Sequence, residues 1–144
     1  MAAIRRNKLT EMMWAMHRRL FMATGGRFGG KIGKFLVLSL TTIGRKSGEP
    51  RTVLLFTIER PDGWVVVASH AGEDRDPPWW LNLVEQPLAT IKVDRKDVTV
   101  RARELLGGER DEMYRRFEEI DKGYAVYPQR TTRRIPVVLL EPLS

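Results

Sequence analysis

Residues 41–51, Thr-Thr-Ile-Gly-Arg-Lys-Ser-Gly-Glu-Pro-Arg, separate two strongly apolar runs, Phe35–Leu40 (FLVLSL) and Val53–Ile58 (VLLFTI). Both runs are rich in β-branched, leucine and aromatic residues and read as strands. The segment between them carries Gly44 and Gly48, which permit backbone conformations and close approaches that other residues resist. It also carries the cations Arg45, Lys46 and Arg51 and several hydroxyls. A basic, glycine-punctuated loop held by two buried strands suits a ligand bearing phosphate or carboxylate. A solvated turn whose cations serve only solubility is the equal alternative. The G-x-x-x-x-G-K-[ST] order of a phosphate-binding P-loop is absent.

Outward from this hairpin the strand pattern continues. Arg60-Pro61-Asp62-Gly63 is a turn, and Trp64–Ser69 (WVVVAS) follows as a third strand. These runs are apolar at nearly every position, which implies cover on both faces. Asp76-Pro77-Pro78-Trp79 opens a short helix, with Asp76 as N-cap and Pro77 in the first turn, and Pro87 stops it. Ala89–Val93 and Val98–Glu104 form a hairpin around Asp94–Asp97. In its second arm Val98, Val100 and Ala102 alternate with Thr99, Arg101 and Arg103, one buried and one wet face. Residues 109–121 form a surface helix with Met113, Phe117 and Ile120 as its buried stripe and with Glu112/Arg116 and Arg115/Glu119 pairs. Ile135–Leu140 is the last strand.

Upstream, Leu9, Met12, Met13, Met16 and Leu20 make one apolar face of a helix over residues 8–22. Gly25 and Gly26 end it, and residues 25–33, with five glycines, read as an irregular connector. The expected architecture is α+β: a small barrel of about six mainly antiparallel strands, an N-terminal amphipathic helix and two further helices. All 144 residues form one domain, residues 1–34 being helix and connector and residues 35–144 the barrel core.

Composition narrows the chemistry. There is no cysteine, so disulfides, thiolate nucleophiles and cysteine-bound metals are excluded. Its two histidines, His17 and His70, form no metal-binding spacing, and no metal site is expected. A net charge of +7 favours anionic partners. The cations lie in separated loops without interleaved aromatics, which argues against nucleic acid. No segment approaches the about 20 apolar residues of a membrane span, and no signal peptide is recognisable. A cytoplasmic protein is expected. The N-terminal helix, with its methionines, Trp14, Phe21, Arg18 and Arg19, reads either as a cap on the barrel or as a peripheral contact with the inner face of the membrane.

Three further clusters are candidates for a site. Ala68-Ser69-His70-Ala71 ends the third strand. Ser69 and His70 do not form a catalytic pair there, because adjacent side chains on a strand point to opposite faces. Trp79 and Trp80 sit about 100° apart on the short helix; one belongs to the core and the other can wall a pocket. Tyr124 and Tyr127 share a helical face, beside the basic string Arg130-Thr131-Thr132-Arg133-Arg134.

Taken together, TTIGRKSGEPR, VVVASHAG, PPWWLNL and GYAVYPQRTTRRIPVVLLEP resemble, in order and spacing, the deazaflavin-dependent nitroreductase family, the F420H2-dependent quinone and nitro-compound reductases of actinobacteria. The match runs from about Phe35 to Leu143. The resemblance implies a split β-barrel of the type that also binds flavin mononucleotide. It implies coenzyme F420 as cofactor, a 5-deazaflavin with a phosphate and an oligoglutamate tail. By the same resemblance, Arg45, Lys46, Ser47 and Arg51 hold the phosphate and tail, while Val53, Leu54 and Phe56 line the ring. Ala68, Ser69, His70 and Ala71 edge it, with Trp79 beside it. Ser69, Tyr124 and Tyr127 face a small-molecule electron acceptor and carry the catalytic role. Two positions depart from nitroreductase-like members: Asp121 stands where a third tyrosine is common, and His70 follows the serine. Quinones, enones or activated alkenes, and nitro compounds are the acceptors to weigh. A flavin-mononucleotide reductase on the same barrel and a non-catalytic carrier of F420 or a fatty ligand are the alternatives. The oligomeric state stays open.

Overall fold

The computed structural model describes residues 31–32 and 35–143. The expected helix over residues 8–22 lies outside the described residues. The strands are β1 (Lys31–Ile32), β2 (Phe35–Ile43), β3 (Pro50–Arg60), β4 (Gly63–Val67), β5 (Leu88–Val93), β6 (Lys96–Leu105) and β7 (Val137–Pro142). The helices are α1 (Pro78–Glu85), α2 (Gly107–Ile120) and α3 (Gly123–Arg130), with a 3-10 turn at His70–Gly72. Every strand pairing is antiparallel. The order β1-β2-β3-β4-β7-β6-β5 closes on itself because β5 also pairs with β2, Leu40 standing opposite Ile91. The result is a six-stranded barrel, β2 to β7, with β1 as a short addition on β2. The split β-barrel expectation therefore holds, and closure leaves few free strand edges.

The near-continuous apolar runs have a direct cause. Val65, Val67, Val137 and Leu139 belong to one core with Met113, Tyr114, Phe117 and Tyr124, under α2 and α3. Their neighbours Val66, Val138 and Leu140 belong to a second core with Leu38, Leu40, Ile91, Val100, Trp79 and Leu83. Successive side chains of a strand point to opposite faces, so β4 and β7 feed the barrel interior and the helix-covered exterior alternately. On β6, by contrast, Thr99, Arg101 and Arg103 are exposed, matching the predicted wet face.

Several boundaries differ from the sequence reading, each for a local reason. Lys31–Ile32, expected in an irregular connector, pairs with β2. The third strand ends at Val67, not Ser69, because the chain turns sharply at His70 and Ala71, where φ is +46° and +54°. Helix α1 begins one residue later than expected, with Pro77 at the N-cap and Pro78 inside. Asp76 does not cap it; its carboxylate binds Arg133 at 2.9 Å. Helix α2 begins at Gly107 and buries Tyr114 beside the expected Met113 and Phe117. Glu112 pairs with Arg115, not Arg116, while Arg115 also binds Glu119 as expected. Helix α3 is an element beyond those counted from sequence, and β7 runs from Val137 to Pro142.

Candidate functional site

The β2–β3 hairpin sets the basic loop rigidly. Thr41 and Thr52 stand opposite each other with hydroxyls 2.8 Å apart, and Ile43 pairs with Pro50. Gly44 N–H donates to the Glu49 carbonyl and Gly48 N–H to the Gly44 carbonyl, both at 2.8 Å. Gly48 has φ +72°, a conformation glycine adopts without the steric cost other residues meet. The Ser47 hydroxyl accepts from Glu49 N–H at 3.2 Å and from Arg51 Nη2 at 3.3 Å. Arg51 is thereby aimed along the loop. Lys46 and Ser47 are exposed.

Asn82 buttresses this loop from α1. It is 4% exposed. Its Oδ1 accepts from Arg45 backbone N–H at 3.1 Å and from Arg45 Nη1 at 3.3 Å, and its Nδ2 donates to Thr42 Oγ1 at 3.0 Å. The sequence reading passed over Asn82. The available signal was a lone amide three residues after Trp79, on the face of a short apolar helix that must be buried.

A cleft of about 680 Å³ runs from this loop across β3 to α3. That volume lies in the usual range for cofactor sites. Arg45, Lys46, Ser47 and Arg51 line its cationic end. Val53, Leu54, Phe56 and Trp79 supply apolar wall. Ser69, His70 and Ala71 form one edge, and Tyr124 and Tyr127 the far end. Of the residues that the resemblance assigns to cofactor and acceptor, Ala68 alone does not line the cleft. It is 1% exposed and packs in the barrel interior. Of the two indoles, Trp79 is the buried one and also the one that reaches the cleft; Trp80 packs partly buried against the same core.

The 68–76 segment is unusual backbone. His70 and Ala71 both have positive φ, which costs about 1–2 kcal/mol per non-glycine residue. Gly72 N–H donates to the Ser69 carbonyl and Glu73 N–H to the His70 carbonyl. His70 Nδ1 lies 3.0 Å from the Arg75 carbonyl and 3.2 Å from the Glu73 carboxylate. Ser69 and His70 therefore sit on a turn, not a strand, and neither is placed to activate the other.

Tyr124 and Tyr127 sit one turn apart on α3, ring centroids 5.3 Å apart and edge to face. Tyr124 also packs its ring on Phe117 at 5.2 Å. Burial pushes the Tyr124 phenol well above its ordinary value, with Tyr127 and Asp121 adding to the effect. Tyr127 is raised too, first by burial and then by the Asp121 charge, with Arg130 opposing. Both phenols are thus neutral donors at physiological pH. Asp121 accepts from Gly123 N–H at 2.8 Å, an Asx turn that leads the chain into α3. Among the described residues no cluster of His, Asp or Glu could hold a metal, and no helix is long and apolar enough to cross a membrane.

The profile of the F420H(2)-dependent quinone reductase family matches residues 13–142. The chain belongs to this family. Its members are oxidoreductases that use coenzyme F420 in its reduced form. An F420H(2)-dependent quinone reductase of Mycobacterium tuberculosis is 35% identical over 131 residues, covering 87% of each chain. A solved F420-H2 dependent reductase is 34% identical, with a TM-score of 0.66 over 73% of this chain and 93% of its own. A second solved structure, described as a domain-swapped dimer, is 29% identical with a TM-score of 0.69, over 91% of this chain and 99% of its own. Between the deazaflavin and flavin-mononucleotide alternatives, the family decides for the deazaflavin, and between enzyme and carrier, for the enzyme. The cleft of this reductase suits such a cofactor on its own chemistry. A cationic, amide-bearing loop at one end matches a phosphate and carboxylate tail, and an apolar wall with an indole matches a flat ring.

Proposed function

We propose that this reductase transfers hydride from reduced F420 to a quinone bound at the tyrosine end of the cleft. One observation carries the reading: the cationic loop and the paired phenols of Tyr124 and Tyr127 open into the same cleft, with apolar β3 residues between them. Arg45, Lys46, Ser47 and Arg51 hold the phosphate and tail, with Asn82 fixing the loop. Val53, Leu54, Phe56 and Trp79 hold the ring and exclude water from it. Bound in its reduced form, F420 would supply a hydride, that is, two electrons and one proton.

The protein's own part is placement and charge. Ser69 and the neutral phenols orient the acceptor carbonyl. They donate hydrogen bonds to the oxygen that gains negative charge as hydride arrives, an electrostatic stabilisation of the kind that contributes most in a water-poor site. A quinone that takes up one hydride and one proton becomes a hydroquinone. That proton comes from one of the phenols, which solvent then reprotonates, or directly from solvent. The apolar wall and a pair of donors at one end fit a flat diketone. Enones and nitro compounds present a similar oxygen and are the weaker alternatives.

The test is oxidation of F420H2 by menadione, cyclohexenone and a nitroaromatic, followed beside F420 binding by fluorescence. Saturable binding with menadione as the best acceptor supports the reading. Binding without turnover of any of the three overturns it.

A further inference from the structure

Thr131-Thr132-Arg133-Arg134 looks from sequence like surface charge, yet Arg133 is largely buried, its side chain 14% exposed. All five of its side-chain N–H groups have acceptors. Nε donates to the Glu73 carbonyl at 2.8 Å. Nη1 donates to the Ala68 carbonyl at 3.2 Å and to Asp76 Oδ1 at 2.9 Å. Nη2 donates to the Ala68 carbonyl at 3.3 Å and to the Ser69 carbonyl at 2.7 Å. One planar cation therefore bridges two walls of the cleft, the 69–73 turn and the lead-in to α1, which carries Trp79 and Asn82. Arg133 does not itself line the cleft.

We propose that Arg133 is a positioning residue for the reaction: its guanidinium holds the left-handed turn at His70–Ala71, and through it Ser69, against the cleft. The turn needs such a hold. Two consecutive non-glycine residues with positive φ are strained; the other such pair among the described residues, Asp94–Arg95, is clamped by the Val93–Lys96 pairing of the β5–β6 hairpin, a ladder that His70–Ala71 lacks. The turn's own backbone support is two short-range bonds, Gly72 N–H to the Ser69 carbonyl and Glu73 N–H to the His70 carbonyl, beside the His70 ring contacts with the Arg75 carbonyl and the Glu73 carboxylate. Arg133 adds carbonyl contacts on both sides of the strained pair. A lysine keeps the charge but not the fork, because its three donors radiate from a single point. The consequence for turnover rests on the reading of the cleft proposed above; the hold on the turn does not.

The experiment compares wild type, Arg133→Lys and Asp76→Asn. In the cofactor-free protein, hydrogen exchange reads the turn directly. Protection at the Gly72 and Glu73 amides falls about tenfold in Arg133→Lys, a local opening, while barrel amides such as Val138 keep theirs. Asp76→Asn gives a smaller loss at the same two amides. With F420H2 and menadione, kcat falls at least about tenfold, as small misplacements near reacting atoms do. The Kd for F420 changes by less than about threefold, a small free-energy difference, because the basic loop is held by Asn82 and by its own backbone bonds, none of which involves Arg133. Methylguanidinium restores turnover to Arg133→Ala. Unchanged protection at Gly72 and Glu73 overturns the proposal. So does an even loss across the barrel with kcat unchanged, which marks Arg133 as a general stabiliser. If wild type does not oxidise F420H2 at all, the functional reading fails, and the exchange data still decide whether Arg133 holds the turn.

Discussion

Tyr114 donates its hydroxyl to the backbone carbonyl of Tyr124 at 2.5 Å, joining α2 to α3 inside the core. The acceptor's position explains the bond. In a regular helix the carbonyl of residue 124 receives the N–H of residue 128, and residue 128 is Pro128, which has none. A side chain from another helix supplies a donor in its place. Arg110 lies 4.8 Å from the centre of the Tyr114 ring and braces it from the other side.

Tyr114→Phe is accordingly expected to cost about 1–3 kcal/mol, the penalty for stripping a donor from a buried acceptor. Urea unfolding measures it. The effect should extend to function, since α3 carries both phenols of the cleft. KM for menadione rises while the Kd for F420 stays near wild type. A variant with wild-type stability and KM contradicts the role assigned to this bond.

Alkaline pH tests the same core. Burial is the first cause that raises the phenols of Tyr114 and Tyr124 above their ordinary value. The unfolded chain titrates them near pH 10, so above that pH it releases protons that the folded chain keeps. Their contribution is complete below about pH 10 and is lost as pH rises towards the folded values. The melting temperature should therefore be insensitive to these groups between about pH 7 and pH 9 and drop steeply beyond about pH 10. Tyr124→Phe, which cannot ionise, should make the drop shallower, as thermal melts over a pH series will register.

Lys46 and Asn82 separate charge from scaffolding in the anion loop. Lys46→Ala removes an exposed cation and should weaken F420 binding by about 1–3 kcal/mol. It should also make binding less sensitive to salt, since screening acts on exposed charge. Asn82→Ala removes the acceptor that fixes Arg45 and should raise the Kd about tenfold, or about 1.4 kcal/mol, with the salt sensitivity retained. Fluorescence titrations at two ionic strengths distinguish the two; identical salt responses would contradict the division of labour.

Gly63 is where the barrel admits no side chain. It has φ +150°, and a Cβ there would fall 2.2 Å from the Leu140 carbonyl oxygen, which belongs to the paired strand β7. Gly63→Ala should destabilise the protein by more than about 3 kcal/mol, in the tail reserved for a backbone clash in a core. Gly108, in the first turn of α2, meets nothing within 4 Å. Gly108→Ala should be neutral or stabilising by up to about 1 kcal/mol. Chemical denaturation of the pair gives the comparison.

The barrel strands, the basic loop and helices α1 and α2 were legible from the residues themselves, whereas α3 was not counted. Side-chain alternation and turn chemistry act over a few residues, so FLVLSL, VLLFTI, WVVV and the Gly44–Gly48 turn carry their own instructions. Cover on both faces followed from runs with no polar alternation. The resemblance of TTIGRKSGEPR, VVVASHAG, PPWWLNL and GYAVYPQRTTRRIPVVLLEP to a known family extended this local reading to the cofactor and to the roles expected of Ser69, Tyr124 and Tyr127.

What the sequence did not disclose are contacts made by residues far apart along the chain. Asn82 meets Arg45 across 37 positions, and Arg133 meets Ser69 across 64. Neither residue stands out locally, one being a single amide in an apolar helix and the other one arginine in a basic string. Their partners are chosen by barrel closure, where β5 returns to pair with β2 and α1 is carried against the loop. The same closure moved Asp76 from helix cap to ion pair and placed Ala68 behind the cleft wall. The sequence by itself determined the strands and the basic loop between them, because those depend on neighbours along the chain, and its resemblance to a family supplied the cofactor. Only the tertiary structure decided which polar groups hold the site in shape, because hydrogen bonds between distant residues depend on the register of the closed sheet.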